Sequence, residues 1–129
     1  MREVRDVIKI IKMKVAFDFD ETLDNVHVQE FAKELLNMGI DVHVVTNNFN
    51  GQYIWLTTDE LGINRDNIHC VGYSVKSLYF TENPDFLFHL DNDYYEVKII
   101  NKDSKVKGVV FTEGWKEECL NIIKLWYQN

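Results

Sequence analysis

A cluster of acidic side chains follows the first apolar run of the chain, in the sequence KVAFDFDETLDN at residues 14–25. Asp18 and Asp20 are two residues apart, so their carboxylates leave the same face of an extended chain. Two carboxylates held this close repel each other unless a cation or a shared proton offsets their charge. Because hard divalent cations prefer oxygen ligands, the spacing predicts a Mg²⁺ site.

Two simpler interpretations compete for the same acidic stretch. Asp and Asn commonly lie in turns or cap helices, and this interpretation is favoured for Asp24 and Asn25, which precede a helical pattern. A calcium loop that begins at Asp18 would need glycine where Leu23 stands and glutamate where Gln29 stands. The calcium alternative is therefore rejected.

Strand and helix patterns alternate along the chain. Apolar residues have the period of a strand from Ile11 to Phe19, and the spacing of a helix from Val26 until Gly39. No definite element is predicted at 76–84 or 94–104. Further strands are predicted at 41–46, near 67–73, before Asp91 and at 105–112, with helices at 51–63 and 115–128. This order is typical of a doubly wound α/β fold with a mainly parallel, five-stranded, Rossmann-like sheet.

Polar side chains follow three of these predicted strands. Ligands of parallel sheets bind beyond the carboxyl ends of the strands, where the strand order reverses. We therefore expect a binding site at that edge, formed by Asp18, Asp20, Thr46, Asn47, Asp91 and Asp93.

The motif DFDET at residues 18–22 resembles the DxDxT signature of the haloacid dehalogenase (HAD) superfamily, whose members are mostly Mg²⁺-dependent phosphohydrolases on a doubly wound α/β fold. The segment VVTNN resembles the second motif of that family, in which a hydroxyl binds the phosphoryl group. By this resemblance Thr46, with Asn47 beside it, binds phosphate.

Two further family motifs follow in the expected order. Lys76 is the best-placed match to the phosphate-binding lysine, and Lys98 is the reserve candidate. The segment LDND resembles the acidic metal-binding motif, with Asp91 as its first acid. The family usually has a second acid there, and either Asn92 or Asp93 could take that role.

The resemblance implies a mechanism for phosphate ester hydrolysis. Asp18 would be the nucleophile that forms an aspartyl-phosphate, and Asp20 the general acid and base. Mg²⁺ would be held by the Asp18 carboxylate, the Asp20 main-chain carbonyl and Asp91. Thr22 would orient the loop and Asp20. The phosphoryl oxygens would be bound by Thr46, Asn47 and Lys76.

The chain has little room for the cap domain that many HAD enzymes insert. Only a few residues separate Thr22 from the helix near Val26, and one helix and one strand fill residues 48–75. The resemblance thus implies an open site. Such sites often accept phosphate on larger molecules or gain a lid by oligomerising. The expected partner is a phosphorylated substrate of unknown size, small or macromolecular, and a homo-oligomer is an alternative.

The composition limits the setting of the protein. A length of 129 residues with 46% hydrophobic residues predicts one domain over residues 1–129. A net charge of −7 argues against a nucleic-acid partner. No apolar run reaches membrane length, and charges interrupt the start of the chain, which predicts a cytoplasmic protein without a membrane partner. Cys70 and Cys119, far apart and without metal-ligand spacing, are expected to be buried thiols.

The first twelve residues allow two interpretations. They could be an extension ahead of a natural start at Met13, or residues 1–10 could form a short helix with Val4, Val7, Ile8 and Ile11 on one face.

Two other function classes compete with the phosphohydrolase. A catalytically silent binding or regulatory module could keep the fold and a metal site, because the fourth motif is incomplete. A receiver domain would need its phosphorylated aspartate after the third strand, which ends in Cys70, Val71 and Gly72. The receiver alternative is therefore disfavoured. The four histidines are expected to be structural, and Trp115, Trp126 and Tyr127 to pack the last helix on the sheet.

Overall fold

A computed structural model describes residues 4–11 and 13–129 of the chain. Its five strands form one sheet in the order β3-β2-β1-β4-β5, and all neighbouring strands are parallel. The strands are β1 (Lys14–Phe17), β2 (Asp41–Thr46), β3 (Ile68–Cys70), β4 (Phe88–Asp91) and β5 (Lys107–Val110). The helices are α1 (Val4–Ile11), α2 (Val26–Asn37), α3 (Trp55–Leu61), α4 (Lys76–Glu82), α5 (Tyr94–Asp103) and α6 (Trp115–Gln128).

Helices cover both faces of this sheet. Successive strand residues point to opposite sides, so each face carries apolar side chains that must be buried. On one face Phe17 of β1 packs with Phe31 of α2 in a large apolar core that also includes Ile123 of α6. On the other face Ala16 belongs to a smaller core with Phe80 of α4. The doubly wound, parallel arrangement predicted from the sequence is therefore confirmed.

The smaller core shares its face with buried polar residues. His43 lies on β2 between residues of the large core, and His89 and Asp91 alternate in the same way on β4. Lys76 is also buried, at the start of α4. Apolar packing is therefore concentrated on the α2 and α6 face, and polar side chains are concentrated beneath α4 and α5.

The first strand is shorter than predicted. It ends at Phe17 rather than Phe19, because the chain turns over residues 19–23 and Glu21 adopts a left-handed φ of 58°. Phe19 nevertheless remains buried, so the alternating pattern reported burial and not strand length. The third strand also stops early, at Cys70, two residues before Gly72, which has a φ of 61°.

The N-terminal helix packs differently from the pattern in the sequence. Val4, Val7 and Ile8 are exposed, whereas Ile10 is buried in the large core. Lys9 Nζ donates hydrogen bonds to the carbonyls of residues 127 and 129, at 2.9 and 2.8 Å. The helix is thus attached to the end of α6, and the short helix that the sequence allowed is present, with the described members of its apolar face exposed to solvent. Residues 1–3, residue 12 and the side chain of residue 11 lie outside the described part of the chain, and a natural start at residue 13 stays a prediction.

The predicted helix after the acidic stretch is α2. The side chain of Asn25 caps it by accepting a hydrogen bond from the His27 N–H at 2.9 Å, which selects Asn25 over Asp24 as the cap. Gly39, with a φ of 88°, follows its end. The next helix, α3, begins at Trp55 rather than at residue 51.

Helices α4 and α5 fill the two regions for which the sequence predicts no definite element. The aromatic residues of the last helix, Trp115, Trp126 and Tyr127, do pack against the large core. Cys119 is buried as expected, but Cys70 is only half-buried because it lies on an edge strand. Within residues 4–11 and 13–129, no helix has the length and apolar character needed to cross a membrane.

Candidate active site

A pocket of about 180 Å³ lies at the carboxyl edge of the sheet, where β1, β2 and β4 end side by side. All the predicted site residues except Thr22 line it. The lining residues are Asp18, Asp20, Glu21, Thr46, Asn47, Lys76, Asp91, Asn92, Asp93 and Glu96. The topology explains the convergence, because parallel strands bring their carboxyl ends to one edge.

A larger cavity, of about 500 Å³, lies at the opposite edge, beside α6 and the residues that precede β4 and β5. Its walls are mainly apolar and include Phe86, Leu125 and Trp126, with Lys105 and Lys107 among its charged residues. The smaller pocket is the better candidate for catalysis, because acidic side chains, a lysine and a hydroxyl converge there.

Lys76 connects the two buried carboxylates of the pocket. Its Nζ donates hydrogen bonds to Asp18 Oδ1 at 2.8 Å and to Asp91 Oδ2 at 2.7 Å, and only 2% of the Lys76 side chain is exposed. Asp18 comes after Ala16 and Asp91 after His89, so both acids continue the α4 and α5 face of their strands. Two carboxylates thus share one ammonium group.

Burial and charge oppose each other in this group. Burial raises the pKa of Asp18 to about 7, with the charge of Asp91 in the same direction, although the Lys76 ammonium acts to lower it. Burial alone would lower the pKa of Lys76, but the two carboxylates outweigh it and raise that pKa. The lysine therefore stays charged, and added positive charge at the pocket would favour ionised Asp18.

His89 supports Asp91 from inside the protein. Its Nε2 lies 2.8 Å from Asp91 Oδ2, and its Nδ1 has no hydrogen-bond partner among the described residues. Burial lowers the pKa of His89, so the ring is neutral and acts on Asp91 as a hydrogen-bond donor rather than as a cation. Burial would raise the pKa of Asp91, but His89 and Lys76 together hold it well below its usual range.

Asp20 is exposed at the mouth of the pocket, whereas Asp18 is buried. The Nδ2 of Asn48 donates hydrogen bonds to Asp20 Oδ2 at 3.1 Å and to Thr46 Oγ1 at 3.2 Å. Asn48 therefore connects Asp20, the predicted general acid and base, to the hydroxyl of Thr46, the predicted phosphate-binding residue. Asn48 is not among the residues predicted from the sequence, although its place directly after Thr46 and Asn47 was a signal for it.

The two candidates for the missing acid have other partners. Asn92 Nδ2 donates to Glu21 Oε2 at 2.9 Å. Asp93 Oδ1 caps α5 by accepting the N–H groups of Tyr95 and Glu96, at 2.9 and 3.2 Å. The Asp93 main-chain N–H reaches the site itself, because it donates to Oδ1 of the preceding aspartate, residue 91, at 2.9 Å.

Thr22 is fully buried, and its hydroxyl has no hydrogen-bond partner among the described residues. Thr22 was predicted to orient the loop and Asp20. The turn is instead held by the main chain, since Leu23 N–H donates to the Asp18 carbonyl and Asn25 N–H donates to the Thr22 carbonyl. No hydrogen bond joins the Thr22 hydroxyl to the loop or to Asp20 among the described residues, and its orienting role stays a prediction.

Asn47 lines the pocket but uses its side chain to connect two loops. Its Nδ2 donates to the carbonyls of Gly72 and Ser74, at 2.9 and 3.2 Å. The loop after β2 is thereby tied to the loop after β3. Asn47 was predicted to bind phosphate, and its observed partners are main-chain carbonyls.

The lysine of the site is positioned by an acid from α5. Glu96 Oε2 accepts the Lys76 main-chain N–H at 3.3 Å, and Val75, which precedes α4, provides no side-chain cap. Burial raises the pKa of Glu96. The reserve candidate Lys98 is exposed on α5 and is not among the residues that line the pocket.

The oxygen donors of the pocket suit Mg²⁺. No group of three or more His, Cys, Asp or Glu side chains converges on a metal position in the part of the chain that the structure describes. Mg²⁺ usually needs only one or two protein carboxylates and keeps several waters. Asp18 and Asp91 already contact a common cation, the Lys76 ammonium, and the Asp20 carbonyl is the third predicted donor. The donor set therefore fits this ion.

Comparison with known proteins establishes the fold. No protein-family model matches the chain, and no curated protein matches it. One similar solved structure is the putative 3-deoxy-D-manno-octulosonate 8-phosphate phosphatase of Vibrio cholerae, with 14% identity over 98% of this chain and 91% of that chain, at a TM-score of 0.54. Another is a hypothetical protein from Xanthomonas campestris, with 15% identity over 98% and 89% of the two chains, at a TM-score of 0.56. The chain therefore has the same kind of parallel α/β fold as these two structures, and no cap domain is present in the described residues.

Proposed function

We propose that the protein is a Mg²⁺-dependent phosphatase that hydrolyses phosphate monoesters through an aspartyl-phosphate on Asp18. The observation that carries this proposal is the contact of buried Lys76 with both Asp18 and Asp91 below a small pocket. The HAD-like fold, shared with the Vibrio cholerae protein described as a phosphatase, supports the same reaction class.

In the first step a carboxylate oxygen of Asp18 attacks phosphorus. A phosphorus–oxygen bond forms to Asp18 while the bond to the leaving oxygen breaks. Asp20, in its protonated form, gives its proton to that oxygen, so an alcohol departs. The hydrogen bond from Asn48 supports this role, because it holds the Asp20 carboxyl near Thr46.

In the second step water opens the intermediate. The Asp20 carboxylate takes a proton from the water as its oxygen attacks phosphorus, and the bond between phosphorus and Asp18 breaks. Inorganic phosphate leaves, Asp18 is restored as a carboxylate and Asp20 regains its proton.

Positive charge and hydrogen-bond donors must offset the charge of the phosphoryl group. Lys76 and the Thr46 hydroxyl are the groups of this chain that would bind its oxygens. Mg²⁺, bound by Asp18, the Asp20 carbonyl and Asp91, would reduce the repulsion between the anionic nucleophile and the anionic substrate. His89 would keep the Asp91 carboxylate ionised and oriented for this ion.

A second candidate function is a catalytically silent module that binds phosphate or metal. One observation favours it: Asn92 occupies a place where HAD enzymes usually have an acid, and its side chain bonds Glu21 instead. Such a module would bind Mg²⁺ and phosphorylated ligands without hydrolysis.

Hydrolysis of p-nitrophenyl phosphate and of a panel of phosphorylated metabolites and peptides tests the proposal. We expect activity that requires Mg²⁺, is lost in EDTA, and falls by about 10³-fold or more in Asp18→Asn. Asp66→Asn, which removes an exposed carboxylate from the turn before β3, is the matched control and should keep full activity. Equal activity of wild type and Asp18→Asn would refute the mechanism. Mg²⁺ binding without hydrolysis of any compound would favour the silent module.

A further inference from the structure

The exposed aromatic residues of the protein lie at one edge of the sheet. Within the described residues, each Phe, Tyr or Trp that is exposed belongs to a loop or helix start that follows the carboxyl end of β2, β3 or β4. These residues, which we call the aromatic rim, are Phe49, Tyr53, Tyr73, Tyr94 and Tyr95. Aromatic groups are costly to expose to water, and grouping them around a functional pocket indicates a contact surface.

The aromatic rim extends to both sides of the nucleophile. In the strand order β3-β2-β1-β4-β5, Phe49, Tyr53 and Tyr73 follow strands on one side of β1. Tyr94 and Tyr95 follow β4, on its other side. Asp18, at the end of β1, therefore lies between two groups of exposed rings.

Four of the five rings are held against each other in pairs, and the fifth, Tyr53, packs edge to face on buried Phe19. Phe49 and Tyr73 make an edge-to-face pair with centroids 4.8 Å apart, and Tyr94 and Tyr95 make another at 5.6 Å. Tyr73 is nevertheless 93% exposed and Tyr95 74% exposed. Each pair thus presents a preformed aromatic surface to solvent, and little side-chain freedom is lost when a ligand contacts it.

The charge between these surfaces is negative. Six carboxylates line the pocket, and the exposed ones are Asp20, Glu21 and Asp93. Lys76 is the one basic residue among the lining residues, and it is already bound to Asp18 and Asp91. A ligand that extends beyond the phosphoryl group would therefore meet rings and negative charge. Arginine and lysine side chains fit both, because cations pair with carboxylates and pack on aromatic faces.

The position of the phosphate within the ligand distinguishes two kinds of polymer. A monoester on a nucleic acid is at a chain end, so the chain leaves the pocket in one direction only. A phosphorylated Ser, Thr or Tyr side chain branches from the middle of a polypeptide, which leaves in both directions. The two-sided rim fits the polypeptide, and the negative charge also opposes a nucleic-acid backbone.

We propose that the aromatic rim binds a polypeptide segment whose phosphorylated side chain enters the pocket and whose neighbouring arginine or lysine residues contact the rings and acids on both sides. This inference rests on the proposed function for the entry of the phosphoryl group, and it names the class of substrate. It makes Tyr73 and Tyr95 specificity-determining residues rather than catalytic ones.

Binding of synthetic peptides to the Asp18→Asn chain in Mg²⁺ tests the inference without hydrolysis. The probes are fluorescent peptides of equal length with a central phosphoserine, flanked on both sides by arginines in one and by glutamates in the other. We expect the arginine peptide to bind about tenfold tighter or more, because charge complementarity favours it. Tyr73→Ala and Tyr95→Ala should each weaken its binding by about threefold or more. Leu125→Ala, an exposed apolar side chain on α6, is the control and should not change the affinity.

Three results would overturn the inference. They are equal affinity for the two peptides, loss of affinity in only one of the variants Tyr73→Ala and Tyr95→Ala, or tighter binding of a 3′-phosphorylated oligonucleotide than of the arginine peptide. Hydrolysis of p-nitrophenyl phosphate by the wild type separates this inference from the proposed function. Hydrolysis without a preference for the arginine peptide refutes the inference alone. Tight, rim-dependent binding of the arginine peptide by a protein that hydrolyses nothing refutes the phosphatase and supports the binding surface.

Discussion

Two polar clusters lie on the α4 and α5 face of the sheet, and each contains a carboxylate and a buried histidine two residues apart on one strand. The amino-edge cluster consists of Asp41 and His43 on β2 with His69 on β3. The carboxyl-edge cluster consists of Asp18, Lys76, His89 and Asp91. Their components are similar, but their hydrogen bonding and charge differ.

The amino-edge cluster is held together by hydrogen bonds between its own side chains. His43 Nε2 lies 2.8 Å from Asp41 Oδ2, and His43 Nδ1 lies 2.9 Å from His69 Nε2, so two neutral rings and the carboxylate form one chain of donors and acceptors. Asn67 Nδ2 donates to the other Asp41 oxygen at 2.8 Å. A cluster with its polar groups paired in this way stabilises the fold and leaves little for a ligand to bind.

The carboxyl-edge cluster has groups without a partner inside the described part of the protein. Two carboxyl groups share one ammonium, so the group carries excess negative charge whenever both are ionised, and it borders a pocket in which further acids lie. Its histidine retains an unpaired Nδ1 within the described residues. The comparison shows that a buried histidine bonded to a carboxylate does not by itself mark a functional site. A functional site is indicated when charged groups without a full set of partners border an open pocket.

The largest effect that tests this comparison is expected from Lys76→Met in EDTA. The variant leaves two buried carboxylates without their cation, so we expect the free energy of unfolding to fall by about 3–5 kcal/mol. Urea unfolding measures it. Lys102→Met, at an exposed position of α5, is the control. Adding Asp18→Asn to Lys76→Met should restore part of the loss, and a Lys76→Met loss no larger than that of the control would contradict the ion-pair assignment.

His69 of the amino-edge cluster and Asp18 of the carboxyl-edge cluster should respond to pH with opposite sign. Burial lowers the pKa of His69 to about 4 and also lowers the pKa of His43, which Asp41 only partly opposes. Between about pH 6.5 and 4 the unfolded chain therefore binds protons that the folded chain excludes, and the amino-edge cluster loses stability as the pH falls. We expect a loss of about 1–2 kcal/mol, reduced by the partial exposure of His69.

The contribution of Asp18 to stability should be lost as the pH rises. Burial raises the pKa of Asp18 from 3.8 to about 7, so between these values the folded chain holds a proton that the unfolded chain has released. Unfolding of wild type, His69→Asn and Asp18→Asn in EDTA from pH 4.5 to 8 measures both trends. Relative to wild type, His69→Asn should lose less stability at low pH, and Asp18→Asn should gain stability at high pH. Profiles parallel to wild type would show that the clusters do not titrate in these ways, and His27→Asn, on an exposed ring, is the control.

The smallest effect is expected at a residue that belongs to neither cluster. Asn25→Ala removes the cap of α2 and should lower the free energy of unfolding by about 1 kcal/mol without a pH trend of its own. Asp24→Ala is the neighbouring control. Thermal unfolding of both variants measures the stability lost with one local hydrogen bond, against which the effects in the two clusters can be compared. A larger loss in Asp24→Ala than in Asn25→Ala would reverse the assignment of the cap.

The fold and the place of the site could be predicted because they depend on short-range patterns. Alternation of apolar residues marked β1, β2 and β4, and parallel strands must bring Asp18, Thr46 and Asp91 to one edge. The limits of the strands could not be predicted in the same way. Phe19 is buried in a turn and not in a strand, and burial alone creates the same alternation.

The contacts that complete the site could not be predicted, because they join residues far apart in the chain. Asn48 reaches back to Asp20 across 28 positions, and Glu96 reaches back to the main chain of Lys76 across 20 positions. Such contacts depend on how loops and helices fold over the sheet edge. The contact between His89 and Asp91, by contrast, could have been predicted, because residues two apart on a strand point to the same face.

The hydrogen bonds of Asn47 have a consequence for motion. Because its amide binds the carbonyls of Gly72 and Ser74, and Phe49 packs on Tyr73, the loops after β2 and β3 are joined at two points. We expect them to move as a single flap. In relaxation-dispersion NMR the amides of both loops should then share one exchange rate, and Asn47→Ala should split that rate into two.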